Sequence, residues 1–286
     1  MEDALLPGIR SLFPGEWKGE PQKLTPTVSL IPEPSGSRGP WAISVRAQGA
    51  TLGYIGEYEA PLWAGVLRRV LASGFVPTTR SRIWGSIRGS ALQFSVEGFS
   101  ARIEAPPFSV QIALGKPNAA LPLNDPPAVP YTMLPRSSTI QVTKQDEHFD
   151  TFRACVPECG YGTLFVTLQE CVRHGQAKPH VEVRINEERI GQLSPQMSQR
   201  FLPMIRYLHQ RGLLAACWGD ISGSPTTAKV RIDSIKANEA TPDVLDGPPN
   251  TIPLLVPERP NPLDYDLTQM WPLLKPLPPI KRPLPP

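Results

Sequence analysis

The sequence is poor in cysteine, in long apolar runs and in net charge. Four cysteines at uneven spacings in 286 residues are too few for the disulfide framework of a small secreted domain. No segment approaches the roughly 18 apolar residues of a transmembrane helix. The first residues, MEDALLPGIRSLF, begin acidic and are interrupted by Pro7, unlike a secretory signal. These features predict a cytoplasmic protein with reduced thiols and no membrane partner.

Motifs of catalysis and metal binding are also lacking. The sequence contains no nucleophile elbow, phosphate-cradling glycine loop, H-E-x-x-H motif or recognisable carboxylate pair. Cys155 and Cys159 form a C-x3-C pair before Cys171 and His174, but common zinc sites use C-x2-C. Buried thiols and a surface histidine explain this pattern better, and the acidic residues around His148 are typical of a helix start. We therefore expect no catalytic residue, no metal site and no cofactor.

Proline is the residue in excess, with 36 copies against a usual share of about 5%. Eight lie between 106 and 135, and fourteen between 242 and 286. This distribution predicts five segments: an N-terminal extension (1–22), a first domain (23–104), a Pro-rich connector with a possible strand (105–136), a second domain (137–240) and a Pro-rich tail (241–286).

The end of the tail, KPLPPIKRPLPP, is typical of polyproline II, which builds no packed core. Segments of this type dock on aromatic grooves of protein partners. A disordered end is the simpler interpretation of the same composition.

Positive charge is concentrated in two segments, although the net charge is only +3. Residues 28–99 contain seven arginines, no lysine and four glutamates, and residues 166–237 contain ten basic and six acidic residues. The rest of the chain is therefore net negative. This asymmetry favours an anionic partner, with an ordinary solvated surface as the alternative.

The same two segments align without a gap when the sequence is shifted by 138 positions, as from Gly53 to Gly191. A register held over about 70 residues indicates an internal duplication. The matching pairs are Val28/Val166, Leu30/Leu168, Ile43/Val181, Val45/Val183, Arg46/Arg184, Leu52/Ile190, Gly53/Gly191, Ile55/Leu193, Trp63/Phe201, Val66/Met204, Leu67/Ile205, Val70/Leu208, Gly74/Gly212, Ile83/Ile221, Gly85/Gly223, Leu92/Val230, Phe94/Ile232 and Val96/Ser234.

Each copy predicts strands around one helix. WAISVR and HVEVRI alternate with period two, and TLGYI and RIGQL follow across a tight turn. Ser194 and Pro195 mark a helix start, and Gly212 and Gly74 suit the residue that ends a helix. Two further strands follow in each copy. FSVQIAL (108–114) and STIQVT (138–143) also alternate, and we expect them to complete the second barrel.

The predicted fold class is therefore α+β, with two small, partly open β-barrels of OB- or SH3-like type. Each barrel has one helix, and a Pro-rich connector and tail complete the chain.

The first copy contains a characteristic order of short motifs: E-P before the first alternating strand, A-I-x-V within it, G-Y-I in the next strand, and an Ala- and Leu-rich helix ending at glycine. The matching residues are Glu33-Pro34, Ala42-Ile43, Val45, Gly53-Tyr54-Ile55 and Gly74. This order resembles the HIRAN domain over about 70 residues. The second copy keeps the strand and glycine steps but lacks E-P, so its resemblance follows from the duplication.

The resemblance implies a small OB-like barrel associated with DNA, because HIRAN domains occur in helicases and nucleases and capture single-stranded 3′ ends. The positions where family members carry pocket residues hold different residues here: Pro32, Arg38, Gly39, Trp41 and Glu57. The resemblance thus implies a barrel without specific recognition of a 3′ end.

Candidate nucleic-acid-binding residues lie on the predicted strands. Arg80, Arg82 and Trp84 alternate and so share one face, with Arg46 and Tyr54 on neighbouring strands. Arginine with an exposed aromatic ring suits a single-stranded nucleic acid. The alternative is a core Trp84 beside a solvated arginine edge.

In the second copy the corresponding candidates are Arg184, Arg189 and Arg231. There Trp218 matches Arg80 and Ser222 matches Trp84, so the two faces are not chemically equivalent.

Two functions fit these observations. The first is a non-enzymatic protein that binds single- or double-stranded DNA weakly through backbone contacts. The second is a protein-interaction or assembly scaffold that uses the barrels and the Pro-rich tail without binding nucleic acid. The Arg- and Pro-rich, Lys-poor composition is typical of a GC-rich genome, which favours an actinobacterial or phage origin.

Overall fold

The computed structural model describes residues 5–13, 22–85, 91–96, 99–104, 108–172 and 178–277. The chain forms two compact units, the first made of Met1–Pro117 with Leu255–Pro286 and the second of Asn118–Leu254. Each contains a curled, mainly antiparallel sheet with one long helix. The predicted fold class, α+β with two small, partly open barrels, is confirmed.

The described residues of the first unit form two helices and eight strands before the chain enters the second unit. In chain order they are α1 (Leu6–Ser11), β1 (Gln22–Leu24), β2 (Thr27–Pro32), β3 (Ile43–Ala47), β4 (Ala50–Tyr54), α2 (Ala60–Ala72), β5 (Thr78–Gly85), β6 (Ala91–Val96), β7 (Phe99–Glu104) and β8 (Phe108–Ile112). Its main sheet runs β4-β3-β2-β5, and β1 and β8 also pair with β5. Strands β6 and β7 form a separate hairpin.

The remaining elements belong to the second unit, except α6, which lies in the C-terminal segment of the first unit. The elements are β9 (Tyr131–Met133), β10 (Ser138–Gln141), α3 (Phe149–Phe152), β11 (Tyr161–Cys171), β12 (His180–Ile185), β13 (Glu188–Gln192), α4 (Pro195–Gln210), β14 (Leu214–Ser224), β15 (Thr227–Ser234), α5 (Pro242–Leu245) and α6 (Trp271–Leu274). Single 3₁₀ turns lie at Pro117–Ala119, Asp146–His148, Arg153–Cys155, Ala237–Glu239, Pro262–Asp264 and Thr268–Met270. The second sheet runs β10-β15-β14-β11-β12-β13, with β9 parallel to β14.

Local sequence explains the hairpins and helix ends that the two barrels share. The β3–β4 turn has positive φ at Gln48 and Gly49, and the β12–β13 turn has it at Asn186 and Glu187. Two consecutive positive φ values define the type I′ turn that suits twisted strands. Helix α4 begins where Ser194 Oγ accepts the Met197 N–H at 3.3 Å. Gly74 and Gly212, each two residues beyond the end of α2 or α4, also have positive φ.

Residues that are 138 positions apart have equivalent strand partners in the two barrels. Leu24 lies opposite Ile83, and Gly162 lies opposite Ile221. Strands β1 and β2 together therefore occupy the place of the single strand β11. Thr25 and Pro26 separate β1 from β2, and the break falls here because the proline donates no ladder hydrogen bond.

The alignment by 138 positions matches residues 92–96 with residues 230–234, and this part of the prediction is wrong, because the two segments pair with different strands. Strand β6 pairs with β7, and the strand beside β5 is β8, in which Val110 lies opposite Ile83 as Val230 lies opposite Ile221. Segment 108–114 thus completes the first barrel and not the second. Both segments alternate with period two, so alternation alone could not identify the strand that continues the sheet.

The ends of the chain contribute to the core of the first unit. Ile9, Leu12 and Phe13 are buried in this core, although 1–22 was predicted as an extension. Within the predicted tail, Tyr265, Leu267 and Leu274 pack with Ile31 and Leu71. Residues 278–286, which contain most of the polyproline segment, lie outside the described residues.

The second core is built around α4. Phe201 is fully buried, with Leu164, Leu168, Val183 and Leu208 in the same apolar cluster. No helix among the described residues is long and apolar enough to cross a bilayer.

A backbone bridge joins the two ends of the second sheet. The Thr143 N–H donates to Gln192 O at 2.8 Å, and the Gln192 N–H donates to Thr143 O at 3.0 Å. A Cβ atom on the neighbouring Gly191 would lie 2.6 Å from Thr143 O. At the equivalent Gly53, no atom of the described residues lies within 4 Å of such a Cβ.

We expect Gly191→Ala to destabilise the second unit by about 1–3 kcal/mol, because an added methyl group must displace backbone. Gly53→Ala is the matched control and should change the free energy of unfolding by less than about 0.5 kcal/mol. Chemical denaturation of both variants measures the difference. Equal effects at the two glycines would contradict the close bridge.

Candidate nucleic-acid interface on the first barrel

Strand β5 separates its side chains cleanly between the two faces of the sheet. Ser81 and Ile83 are buried, whereas Arg80, Arg82 and Trp84 are exposed. Trp84 leaves 39% of its surface accessible. The three predicted candidates on β5 therefore share one exposed face, and the alternative of a core Trp84 is wrong.

The strands on either side of β5 add polar residues to this face. Lys23 on β1 lies opposite Trp84, and Gln111 on β8 lies opposite Arg82. Both residues are exposed. We call Lys23, Arg80, Arg82 and Trp84 the basic face.

Among the described residues, the positive charge of the basic face is not balanced by an ion pair. Strands β1, β5 and β8 contain no acidic residue. Within the described part of the chain, no carboxylate forms an ion pair with any of its three cations. The face can therefore offer three cations and one aromatic surface to an anionic ligand.

Arg46 and Tyr54 do not belong to this face. Arg46 is buried and pairs with Glu33 at 2.6 Å. It also donates hydrogen bonds to the carbonyl oxygens of Leu273 at 2.7 Å and Lys275 at 2.9 Å. These contacts occupy its guanidinium, so the expectation of a phosphate contact from Arg46 is not met.

Tyr54 lies beside this ion pair. Its hydroxyl donates to Glu33 Oε2 at 3.3 Å, and the Arg38 guanidinium lies 4.3 Å from the centre of its ring. Burial, followed by the negative charge of Glu33, raises the pKa of the Tyr54 hydroxyl. Tyr54 thus has protein partners on both its hydroxyl and its ring.

The candidate arginines of the second barrel lie close to carboxylates. Arg184 and Arg189 contact Glu182 at 2.8 and 3.2 Å. Arg231 is exposed, but it lies opposite Asp220 in the sheet. The second barrel therefore lacks a face of uncompensated charge at these three arginines.

The tryptophan of the second barrel is also arranged differently. Trp218, at the position equivalent to Arg80, stacks on Phe165 with ring centres 4.8 Å apart. Arg136 lies 5.3 Å from the centre of the Trp218 ring. Ser222 is exposed where the first barrel has Trp84. The chemical difference expected from the sequence is thus present in the structure.

The contributions of Lys23 and Gln111 to this face were not predicted from the sequence. Lys23 is the first residue of the predicted first domain (23–104), and Gln111 lies in the predicted connector (105–136). The alternation in QKL and FSVQI predicts that each segment is a strand. It does not predict that both strands pair with β5, because that pairing depends on the order of strands in the sheet.

Comparison of the chain with family models, with curated proteins and with solved structures finds no match.

Proposed function

We propose that this chain is a non-enzymatic, cytoplasmic protein that binds single-stranded nucleic acid weakly through the basic face. The observation that carries the proposal is that Lys23, Arg80 and Arg82 share one exposed sheet face with the exposed ring of Trp84. Arginine and lysine neutralise phosphates, and an exposed indole stacks on bases regardless of sequence. A duplex hides the faces of its bases, so the proposal favours a single strand.

We also propose that both barrels are diverged HIRAN-like modules. The shared strand pairing and the equivalent glycines support a common origin. In the first barrel, the E-P glutamate Glu33 is engaged by Arg46 and Tyr54. Because protein partners occupy the Glu33 carboxylate, we favour binding through backbone phosphates over capture of a strand end.

Single-stranded DNA is expected to bind the full chain at about 50 mM salt and to bind much more weakly at about 200 mM, because binding releases counterions. Trp84→Ala should weaken binding by about tenfold, since one stacked base contributes about 1–3 kcal/mol. Fluorescence anisotropy with a labelled oligonucleotide measures both effects. Trp271→Ala, which removes another partly exposed tryptophan, is the control and should bind as the wild type does.

A protein-interaction scaffold is the second candidate. Tyr58 and Leu62, at the start of α2, are 92% and 67% exposed, and exposed apolar side chains favour contact with a protein. Absence of oligonucleotide binding at the lower salt concentration would reject the first proposal and leave this one. Preferential binding of a duplex would instead reject the choice of a single strand.

A further inference from the structure

A buried cluster of side chains with metal-ligating atoms lies where β11 and β12 meet in the second barrel. Cys171 ends β11 and lies directly opposite His180, the first residue of β12. Glu182 is two positions further along β12, so it shares a face with His180. Two neighbouring strands therefore direct a thiol, an imidazole and a carboxylate to one place.

The distances in this cluster are short. One ligand atom from each of Cys171, His180 and Glu182 lies within 4.8 Å of the other two. His180 Nε2 is 3.7 Å from Glu182 Oε1. Ligand atoms of a tetrahedral zinc ion are separated by about 3.3–3.6 Å, given bond lengths of about 2.0–2.3 Å. Small side-chain rotations thus suffice to close the cluster around one ion.

His180 provides the second, independent observation. Its side chain is only 8% exposed, yet neither ring nitrogen has a hydrogen-bond partner among the residues that the structure describes. Buried polar atoms without a partner are rare and unfavourable, and such a group requires an explanation. A metal ion bound to one ring nitrogen would supply it.

We propose that Cys171, His180 and Glu182 bind one zinc-type divalent transition-metal ion. Sulfur, imidazole nitrogen and carboxylate oxygen are the atoms that zinc accepts, and three protein ligands leave a fourth position for water or an exogenous ligand. The Cys171 thiol loses its proton to solvent when the metal–sulfur bond forms. The equivalent residues of the first barrel, Glu33, Ala42 and Ser44, lack this ligand set, so the expected stoichiometry is one ion per chain.

Two arginines modulate the site. Arg189 contacts Glu182 Oε1 at 3.2 Å, and Arg184 contacts Oε2 at 2.8 Å. Burial raises the pKa of Glu182, but hydrogen bonds from Arg184 and Cys171 and nearby positive charge outweigh it, so the pKa lies below its ordinary value. A metal ion that binds Oε1, the oxygen 3.7 Å from His180 Nε2, must share it with Arg189 or displace Arg189. Arg189 therefore competes with the metal directly and also repels it.

The test is titration of the full chain, stripped with chelator, with Co²⁺ alone. We expect one equivalent to give a thiolate-to-cobalt charge-transfer band, which Zn²⁺ then removes by competition. Cys171→Ser should abolish the band, and His180→Gln should weaken binding by more than about 100-fold, since even outer-shell changes cost 10- to 100-fold. Cys159→Ser is the matched control and should leave the band unchanged. Arg189→Gln should tighten binding by about tenfold.

A measurement on the wild-type chain keeps the test independent of variant folding. Zn²⁺ should protect Cys171, and none of the other three cysteines, from alkylation in peptide mass spectrometry. The proposal is overturned by absence of a stoichiometric band, by a band that survives in Cys171→Ser, or by equal alkylation of Cys171 with and without Zn²⁺. Weaker binding in Arg189→Gln would overturn the assignment of Glu182 as a ligand.

Discussion

Replacing Arg46 with methionine is expected to lower the free energy of unfolding of the first unit by about 3–5 kcal/mol. The substitution leaves the Glu33 carboxylate, which is only 2% exposed, without its charged partner. It also removes the hydrogen bonds to the carbonyl oxygens of Leu273 and Lys275. Chemical denaturation measures the loss of stability. Hydrogen exchange should show faster opening of α6, because Arg46 attaches this segment to the barrel.

The matched control is Arg184→Met at the equivalent position of the second barrel. The Arg184 side chain is 31% exposed, and Glu182 keeps its contact with Arg189. Because the partly solvated Arg184 leaves Glu182 with a second charged partner, we expect a loss of about 1 kcal/mol or less. Equal losses in the two variants, or unchanged exchange in α6 of the Arg46→Met variant, would contradict a structural role for Arg46.

The second large effect concerns the basic face. Changing Lys23, Arg80 and Arg82 together to alanine is expected to reduce affinity for a single-stranded oligonucleotide by about 100-fold at low salt, because three phosphate contacts are lost. All three side chains are exposed, so we expect stability to stay within about 0.5 kcal/mol of the wild type. Binding is measured by fluorescence anisotropy.

The second barrel provides a control with the same type of substitution. Lys229→Ala/Arg231→Ala removes two exposed cations from β15, where they lie opposite Ser222 and Asp220. This variant should bind the oligonucleotide as the wild type does. A comparable loss of affinity would show that general charge, and not the basic face, drives binding.

The sequence predicted the parts of the fold that depend on local pattern. The alternation of Arg80, Arg82 and Trp84 predicted their common face, because strand side chains alternate whatever the neighbours are. The spacing from Gly53 to Gly191 predicted the duplication and both hairpins, since the turn and strand pattern recurs in each copy.

The parts that failed depend on long-range pairing. Segments 91–96 and 108–112 alternate alike, and only pairing with β5 distinguishes β8 from β6. The pattern placed Arg46 on a strand, but it could not show that Glu33 and the segment near Leu273 cover its side chain. The buried Tyr265 was missed because proline-rich composition predicted an unpacked tail.

The salt dependence of binding tests the basic face most directly. The logarithm of the association constant falls with the logarithm of the salt concentration, with a slope of about −0.7 per phosphate neutralised on a single strand. The variant in which Lys23, Arg80 and Arg82 are alanine should therefore show a slope shallower than that of the wild type by about 2. An unchanged slope in this variant would contradict the proposal that nucleic acid binds on this face.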